Sequence, residues 1–397
     1  MTPPLVSTDH AARVAEKRPP APERADVRIA VACPFPFDVL AVGGELKNTI
    51  CVGQGAFAVL SGWQGDLSQI DHYRNFVDSV SRAADRLGRR PVVIGHDLHP
   101  AYLSTVHARR LAPPKVAVQH HHAHAVSCAV DAEMTLPVIG IVCDGTGYGT
   151  DGAIWGGEVL LCNARSFRRL AHLEYFPLPG GDAAARWAWR PAMSVVRLAL
   201  PDSYTTIEPP AFRAVNAKER ALIDRQLDAG LNSPSTSSLG RLFDAVAFLT
   251  GVCAQNEQEG QAARALQAAS TDERVKPYPF ALIDDSEGVR LDWRPMIRSI
   301  VADVQADVCV GWIAARFHET VAAMFAAAAL RAVRETGVER VVLSGGCFVN
   351  ERLREGVRSR LEDRGLQVGV HRRVSAGDAG LSLGQAVVAS ATAAGRE

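Results

Sequence analysis

The stretch Val118-Gln119-His120-His121-His122-Ala123-His124-Ala125-Val126-Ser127 holds four of the chain's twelve histidines within five positions. An apolar run, Val116-Ala117-Val118, leads in like the end of a strand, and Ala125, Val126, Cys128, Ala129 and Val130 continue as a helix suited to burial. On that helix His120 and His124 stand one turn apart on one face, so two imidazoles can reach one cation, while His121 and His122 point elsewhere. The positive end of the helix dipole disfavours imidazolium and so favours the neutral, ligating ring. The same letters also suit polar residues that merely open a helix. A metal site needs a third and a fourth ligand with their own supports.

Acidic residues with the right setting occur twice further on. A continuous apolar run at 138–143, of buried-strand type, ends in Asp144-Gly145-Thr146-Gly147-Tyr148-Gly149-Thr150-Asp151-Gly152. Read as a glycine-rich loop, this lets backbone amides approach an anion while a carboxylate holds a cation. Near the C-terminus, Asp378 precedes the last apolar helix, as either its N-cap or a ligand. Gly380 and Gly384 share a face of that helix, so another backbone can come close.

Around these points the chain alternates. Strands flank a polar tip at Lys47-Asn48-Thr49, which reads as a phosphate contact or as an ordinary hairpin turn. The fold is expected to begin near Val39, with helices over 69–87 and 101–110 and strands over 91–95 and 115–118. After residue 136 the pattern restarts with strands over 138–143, 153–162 and 168–176. One helix then carries Arg186, Trp187, Trp189 and Arg190; an amphipathic one over 239–253 is capped by Ser235-Thr236-Ser237-Ser238, and another opens at Glu257. Surface strands follow within 272–293, and a long Ala-rich helix over 310–335. A strand over 340–343 then meets Ser344-Gly345-Gly346-Cys347-Phe348-Val349-Asn350, where a Gly-Gly turn and a helix N-terminus offer an anion site.

Two rounds of three strands followed by alternating helices and strands describe an α/β fold of two similar lobes around a nucleotide cleft. This is similar to the actin/sugar kinase/Hsp70 architecture, by analogy. The boundaries expected are a linker-like tail at 1–27, a first lobe at 28–135 and a second at 136–397. The second lobe carries a helical insertion over about 177–300, with the final helix packing back on the first lobe. In that frame the His pair faces Asp144 and Asp378 across the cleft, a donor set suited to Fe²⁺ or Zn²⁺.

Composition narrows the function classes. The 43 basic and 43 acidic residues cancel, which gives no electrostatic case for nucleic acid or an anionic membrane. No apolar run reaches the roughly eighteen residues of a membrane span. The eight scattered cysteines lack any C-x-x-C pair, which fits buried thiols in a reducing cytoplasm.

Taken in order, LAVGGELKNT, HDLHPAYLST, VQHHHAH, DGTGYGTDGAIWGGE, PLPGGDAA, SSLGRLFDAVA, EGQAA, LSGGCFVNERL and GDAGLSLGQ resemble the C-terminal transferase domain of the HypF family. These are the carbamoyltransferases of nickel–iron hydrogenase maturation, related to the TsaD/Kae enzymes of tRNA threonylcarbamoylation. The resemblance runs from about Leu40 to Ala389. Full-length members carry acylphosphatase, zinc-finger and YrdC-like domains ahead of this one, so a short form is expected. Three positions depart from the family's usual pattern: Gly377 for Asn, Glu319 for Asn after Phe317-His318, and Trp187-Ala188-Trp189-Arg190 for Glu-Pro-Trp-Arg.

The resemblance implies transfer of carbamoyl from carbamoyl-adenylate, made from carbamoyl phosphate and ATP, to the C-terminal cysteine of HypE. It puts metal ligation on His120, His124, Asp144 and Asp378, the first three also catalytic. It puts phosphate contacts on Lys47, Asn48, Gly145, Thr146, Gly147 and Gly149, and the nucleotide on Glu259, Gly345, Gly346 and Asn350. The attacking thiolate comes from the partner; a base among His99, His121 and His122 stays open. Rival readings are a carbamoyltransferase acting on a small-molecule hydroxyl or on tRNA, and a nucleotide-binding scaffold without catalysis. Net neutrality and the HDLHP and DGTGYGTDG strings weigh against the tRNA branch.

Overall fold

Short runs of alternating or wholly apolar residues build two sheets in this computed structural model, which describes residues 26–87, 93–204, 207, 209–286 and 288–395. The first sheet comprises β1 (Val27–Ala30), β2 (Val39–Ala41), β3 (Cys51–Gln54), β4 (Phe57–Leu60), β5 (Val93–Asp97) and β6 (Lys115–Val118). Helices α1 (Ile70–Arg86) and α2 (Leu103–Ala108) connect its later strands, and α3 (His120–Asp131) leaves it. The strand order is β1-β4-β3-β2-β5-β6, with β5 parallel to β2, β6 parallel to β5, and the rest antiparallel. Phe76, Val80 and Ala83, spaced along one face of α1, pack on Leu40 and Ile94 of the sheet.

The second sheet opens with β7 (Val138–Tyr148), β8 (Ile154–Cys162), β9 (Phe167–Leu173) and the short β10 (Phe176–Pro177). Helices α4 (Asp182–Arg186), α5 (Trp189–Ala199) and α6 (Ala217–Ala229), strand β11 (Ser235–Thr236) and helices α7 (Leu239–Leu249) and α8 (Gln261–Ala269) follow. Then come β12 (Ala281–Asp285), β13 (Gly288–Asp292), α9 (Arg294–Gln305), α10 (Val310–Thr336), β14 (Arg340–Ser344), α11 (Glu351–Glu362), β15 (Gln367–Val370) and α12 (Leu381–Ala394). Its main path is β12-β13-β9-β8-β7-β14-β15, with β7, β8 and β9 antiparallel, β14 parallel to β7 and β15 parallel to β14.

Counted from β2 and from β7, both sheets share a core in the order third–second–first–fourth–fifth. The expected two-lobed α/β architecture with two rounds of strands is therefore present. The helix that ends each round crosses over. Helix α3 leaves the first sheet and packs on β7, β8 and β14, while α12 leaves the second and packs on β2, β5 and β6. The two helices touch at Gly384, where a Cβ would lie 1.8 Å from the Ala123 carbonyl oxygen, a contact only glycine permits.

Several local expectations are corrected. Among the described residues the first strand starts at Val27, not near Val39: Val27–Ala30 adds to the sheet edge opposite Phe57–Leu60. Of the expected tail, residues 1–25 lie outside the described residues, as do 91 and 92 of the expected strand over 91–95. The glycine-rich segment after Asp144 is mostly strand: β7 runs on to Tyr148 through a bulge between Cys143 and Gly147, and the turn comes only at 149–153. Trp187 adopts an extended conformation and bridges to Gln255, which splits the expected helix into α4 and α5. Helix α7 stops at Leu249, and α9 has no counterpart in the sequence reading. Among the described residues α10 is long and apolar enough to cross a membrane, but most of it is buried in the core.

Candidate metal centre

Strand β6 ends at Val118, and Gln119 caps α3 by accepting the His122 N–H at 2.9 Å on its side-chain oxygen. The cap fixes the register of the first turn. His120 and His124 then point to one side, while His121 lies against Gly147 and Trp155, and His122 meets the Asn163 carbonyl oxygen at 2.7 Å. A Cβ on Gly147 would stand 2.3 Å from the His121 ring, so the glycine is there to admit the imidazole. Burial pushes the pKa of His121 down to about 3 and that of His122 to about 4, so both are neutral near pH 7.

Asp144 comes from the middle of β7, inside the bulge that follows Cys143, and Asp378 from a single helical turn that precedes α12. His120 Nε2 lies 3.4 Å from Asp144 Oδ2 and 3.7 Å from Asp378 Oδ1; His124 Nε2 lies 3.3 and 3.5 Å from the same atoms. None of these four contacts is a hydrogen bond. His120 Nε2, His124 Nε2 and Asp144 Oδ2 are buried without any hydrogen-bond partner, an arrangement a folded protein rarely leaves. Nitrogen and oxygen ligands about 2.0–2.2 Å from a tetrahedral ion stand about 3.3–3.6 Å apart. The four residues thus offer one donor atom each at separations that fit a single cation.

Their supports are in place. Asp144 Oδ1 accepts the amides of Gly145 at 2.8 Å and Gly346 at 3.2 Å, which leaves Oδ2 aimed at the histidines. Asp97, at the end of β5, accepts from His120 Nδ1 at 2.8 Å, and this turns the lone pair of Nε2 inward. Burial opposes charge on His120, yet Asp97 and the two site carboxylates hold its pKa well above the ordinary value. His124 is raised in the same way by Asp144 and Asp378. Burial would raise both acids, but the imidazoles hold Asp144 well below the usual carboxylate range and Asp378 at about 2. The helix dipole predicts neutral rings; instead the carboxylates outweigh it and favour charge on both imidazoles, with the two acids held ionised facing them. Asp378, partly exposed, opens the site to solvent.

Other residues singled out from sequence fall into three groups. Gly145, Gly147 and Gly346 line the centre, while Thr146 is exposed on the same strand. Gly149 packs on Trp155, and Gly345 approaches the Cys143 carbonyl oxygen with a positive φ. Lys47, between β2 and β3, and Glu259, between α7 and α8, form a 2.8 Å ion pair with each other. Asn48 is buried and donates to the carbonyls of Val42 and Gly44, which pins the hairpin tip. Asn350 caps α11 by accepting from Leu353 N and shares a hydrogen bond with His318 Nε2. Asp97 is the residue that sequence reading missed; its position beside histidines in HDLHP was the available signal.

Two family profiles match the sequence: the HypF Kae1-like domain over residues 36–131, and the second subdomain of the Kae1-like carbamoyltransferase domain over residues 140–385. A protein of Cupriavidus necator named carbamoyltransferase HypF homolog is 39% identical over 364 residues, with 89% of this chain and 91% of that protein covered. Carbamoyltransferase HypF2 of the same organism is 37% identical, with 88% of this chain but 46% of its own length covered. Among solved structures, full-length HypF in a phosphate- and nucleotide-bound form superposes with a TM-score of 0.87 at 36% identity, over 92% of this chain and 47% of that one. The HypF of T. kodakarensis gives 0.82 at 30% identity, over 94% and 49%. The chain thus spans nearly all of one relative and about half of the others, and it belongs to the HypF family of carbamoyltransferases.

Proposed function

We propose that this chain transfers the carbamoyl group of carbamoyl-adenylate to the C-terminal cysteine of HypE, giving the thiocarboxamide from which the iron cyanide ligands of the hydrogenase derive. The observation that carries this reading is the set of orphaned buried atoms on His120, His124 and Asp144, with Asp378 beside them, where the crossed helices meet the second sheet. These residues would hold a divalent cation, Fe²⁺ or Zn²⁺, since two imidazoles and two carboxylates suit both. Such an ion, when bound, supplies Lewis acidity towards a carbonyl or phosphoryl oxygen.

The chain's own residues do the rest. Asp97 keeps His120 in one tautomer, and the Gly145 and Gly346 amides hold the Asp144 carboxylate in place. The nucleotide lies against the Gly345–Gly346 turn and the glycine-rich end of β7, beside the Lys47–Glu259 ion pair. Asn48 and Asn350 act by shaping the hairpin tip and the start of α11. The acceptor thiol loses its proton to His99, since His121 and His122 are buried and engaged elsewhere while His99 is partly exposed and stacked on Tyr102. Burial lowers the pKa of His99, which leaves the ring neutral and able to accept a proton near pH 7. The thiolate sulfur forms a bond to the carbonyl carbon, the carbon–oxygen bond to phosphate breaks, and its electron pair departs on AMP. A separate YrdC-like domain supplies the adenylate, and a reducing cytoplasm keeps the acceptor a thiol.

The test is incubation of the pure chain with HypE, ATP and carbamoyl phosphate, with and without a YrdC-like domain, followed by intact mass of the HypE C-terminus. Carbamoylated HypE in the arm that contains the YrdC-like domain is expected. Unmodified HypE in both arms would contradict the reading.

A further inference from the structure

Arg241 has no part in the centre as described so far, yet it is 93% buried beside it, being only 7% exposed. It stands in the first turn of α7, where its amide donates to the Ser238 cap at 3.0 Å. A cation there faces the positive end of the helix dipole, an adverse position for a residue with only a structural task. Helix α7 is set hard against the metal strand: a Cβ on Gly240 would lie 2.8 Å from Gly145 Cα, and Ser238 Oγ contacts the carbonyl oxygens of both Asp144 and Gly145.

The guanidinium is aimed and only half used. Nε lies 2.9 Å from Asp244 Oδ2 as an ion pair without hydrogen-bond geometry, and Asp244 Oδ1 accepts from Asn256 Nδ2 at 2.9 Å. Asn256 is anchored by donating to the Ala185 carbonyl oxygen and by accepting from Ala262 N. The ion pair and its anchors hold the guanidinium from behind. Among the described residues neither terminal nitrogen makes a hydrogen bond to the protein, and the side chain as a whole keeps 8% of its surface. One of them lies 4.0 Å from the point that a Cβ on Gly145 would occupy, one residue from the ligand Asp144. A fork of unused N–H donors in a nearly dry setting is what planar recognition of a phosphate requires.

We infer that Arg241 grips the phosphate of the adenylate beside the metal centre, with Asp244 and Asn256 as positioning residues. This rests on the carbamoyl-adenylate reading above and gives the leaving group its partner. As the sulfur–carbon bond forms and the carbon–oxygen bond breaks, the electron pair settles on a phosphate oxygen, and the guanidinium neutralises the charge that develops.

The experiment is calorimetric binding of AMP, adenosine and inorganic phosphate to the full metal-loaded chain, as wild type, Arg241→Gln, Arg241→Lys and Asp244→Asn. Loss of a charge-assisted contact predicts AMP affinity lower by roughly 10- to 100-fold in Arg241→Gln, with adenosine unchanged within about twofold and metal content intact. Arg241→Lys keeps the charge without the fork and should fall between; it also serves if the glutamine variant does not fold. Equal losses for AMP and adenosine, or unchanged AMP affinity, would overturn the assignment. So would loss of inorganic phosphate binding alone, which would make this a free-phosphate site. No acceptor protein enters this assay. An Arg241-dependent preference for AMP therefore stands even if HypE is never carbamoylated, and the two claims fail separately.

Discussion

Asp97 Oδ2 lies 2.8 Å from His120 Nδ1, and both side chains are sealed from solvent. The pair joins the last residue of β5 to the first residue of α3, so the parallel strands β5 and β6 deliver the imidazole and its orienting carboxylate together. Asp97→Asn keeps the shape and removes the charge. Metal affinity is expected to fall about 10- to 100-fold, as for other carboxylates that hold a ligating histidine. Competition with a chelator measures it, and an affinity equal to wild type would remove Asp97 from the site.

The part of this that sequence could show follows from periodicity. His120 and His124 are one turn apart, so their shared face was readable as soon as a helix was expected, and Asp144 was readable as the end of an apolar run. Asp97 was not, because its partner is 23 residues away and only parallel pairing of β5 with β6 brings them together. Arg241 reads as one polar position of an amphipathic helix; what distinguishes it is the contact of Gly240 with Gly145, which no local pattern encodes. The strand at Val27–Ala30 is four residues after a Pro-rich stretch, too short to outweigh its neighbours. The glycines of β7 suggested a loop, whereas Gly147 stays in the ladder to make room for His121.

Gly384→Ala tests the helix crossing. A β-carbon 1.8 Å from the Ala123 carbonyl oxygen cannot be accommodated without moving α12 from α3. A loss of about 3 kcal/mol is expected in denaturant unfolding. Metal affinity should fall with it, since Ala123 lies between His120 and His124. Wild-type stability would mean that the helices do not meet there.

His371 makes stability depend on pH. Burial works against its charge, but the neighbouring Cys128 sulfur and Asp131 carboxylate outweigh burial and raise its pKa to about 9. A folded-state value above the unfolded one stabilises fully below about pH 6.5 and loses that contribution as pH climbs through about 9. The contribution is of order 3 kcal/mol. Melting temperatures between pH 6 and pH 9.5 should therefore fall more steeply for wild type than for His371→Gln. Parallel curves would count against a charged His371.

Lys47 and Glu259 are both about half exposed, so their ion pair adds about 0–1 kcal/mol to stability. On the proposed reading, in which Lys47 leaves Glu259 for a phosphate, Lys47→Ala should leave the melting temperature almost unchanged while ATP affinity drops about tenfold. A variant that melts early and binds ATP normally would reverse those roles.

Metal stoichiometry reaches the central claim most directly. Elemental analysis of the purified chain should find one divalent ion per molecule in wild type, and none in a soluble, folded His120→Ala, His124→Ala double variant. Full occupancy in that variant would show that these imidazoles do not hold the ion, and the centre built here from His120, His124, Asp144 and Asp378 would be wrong.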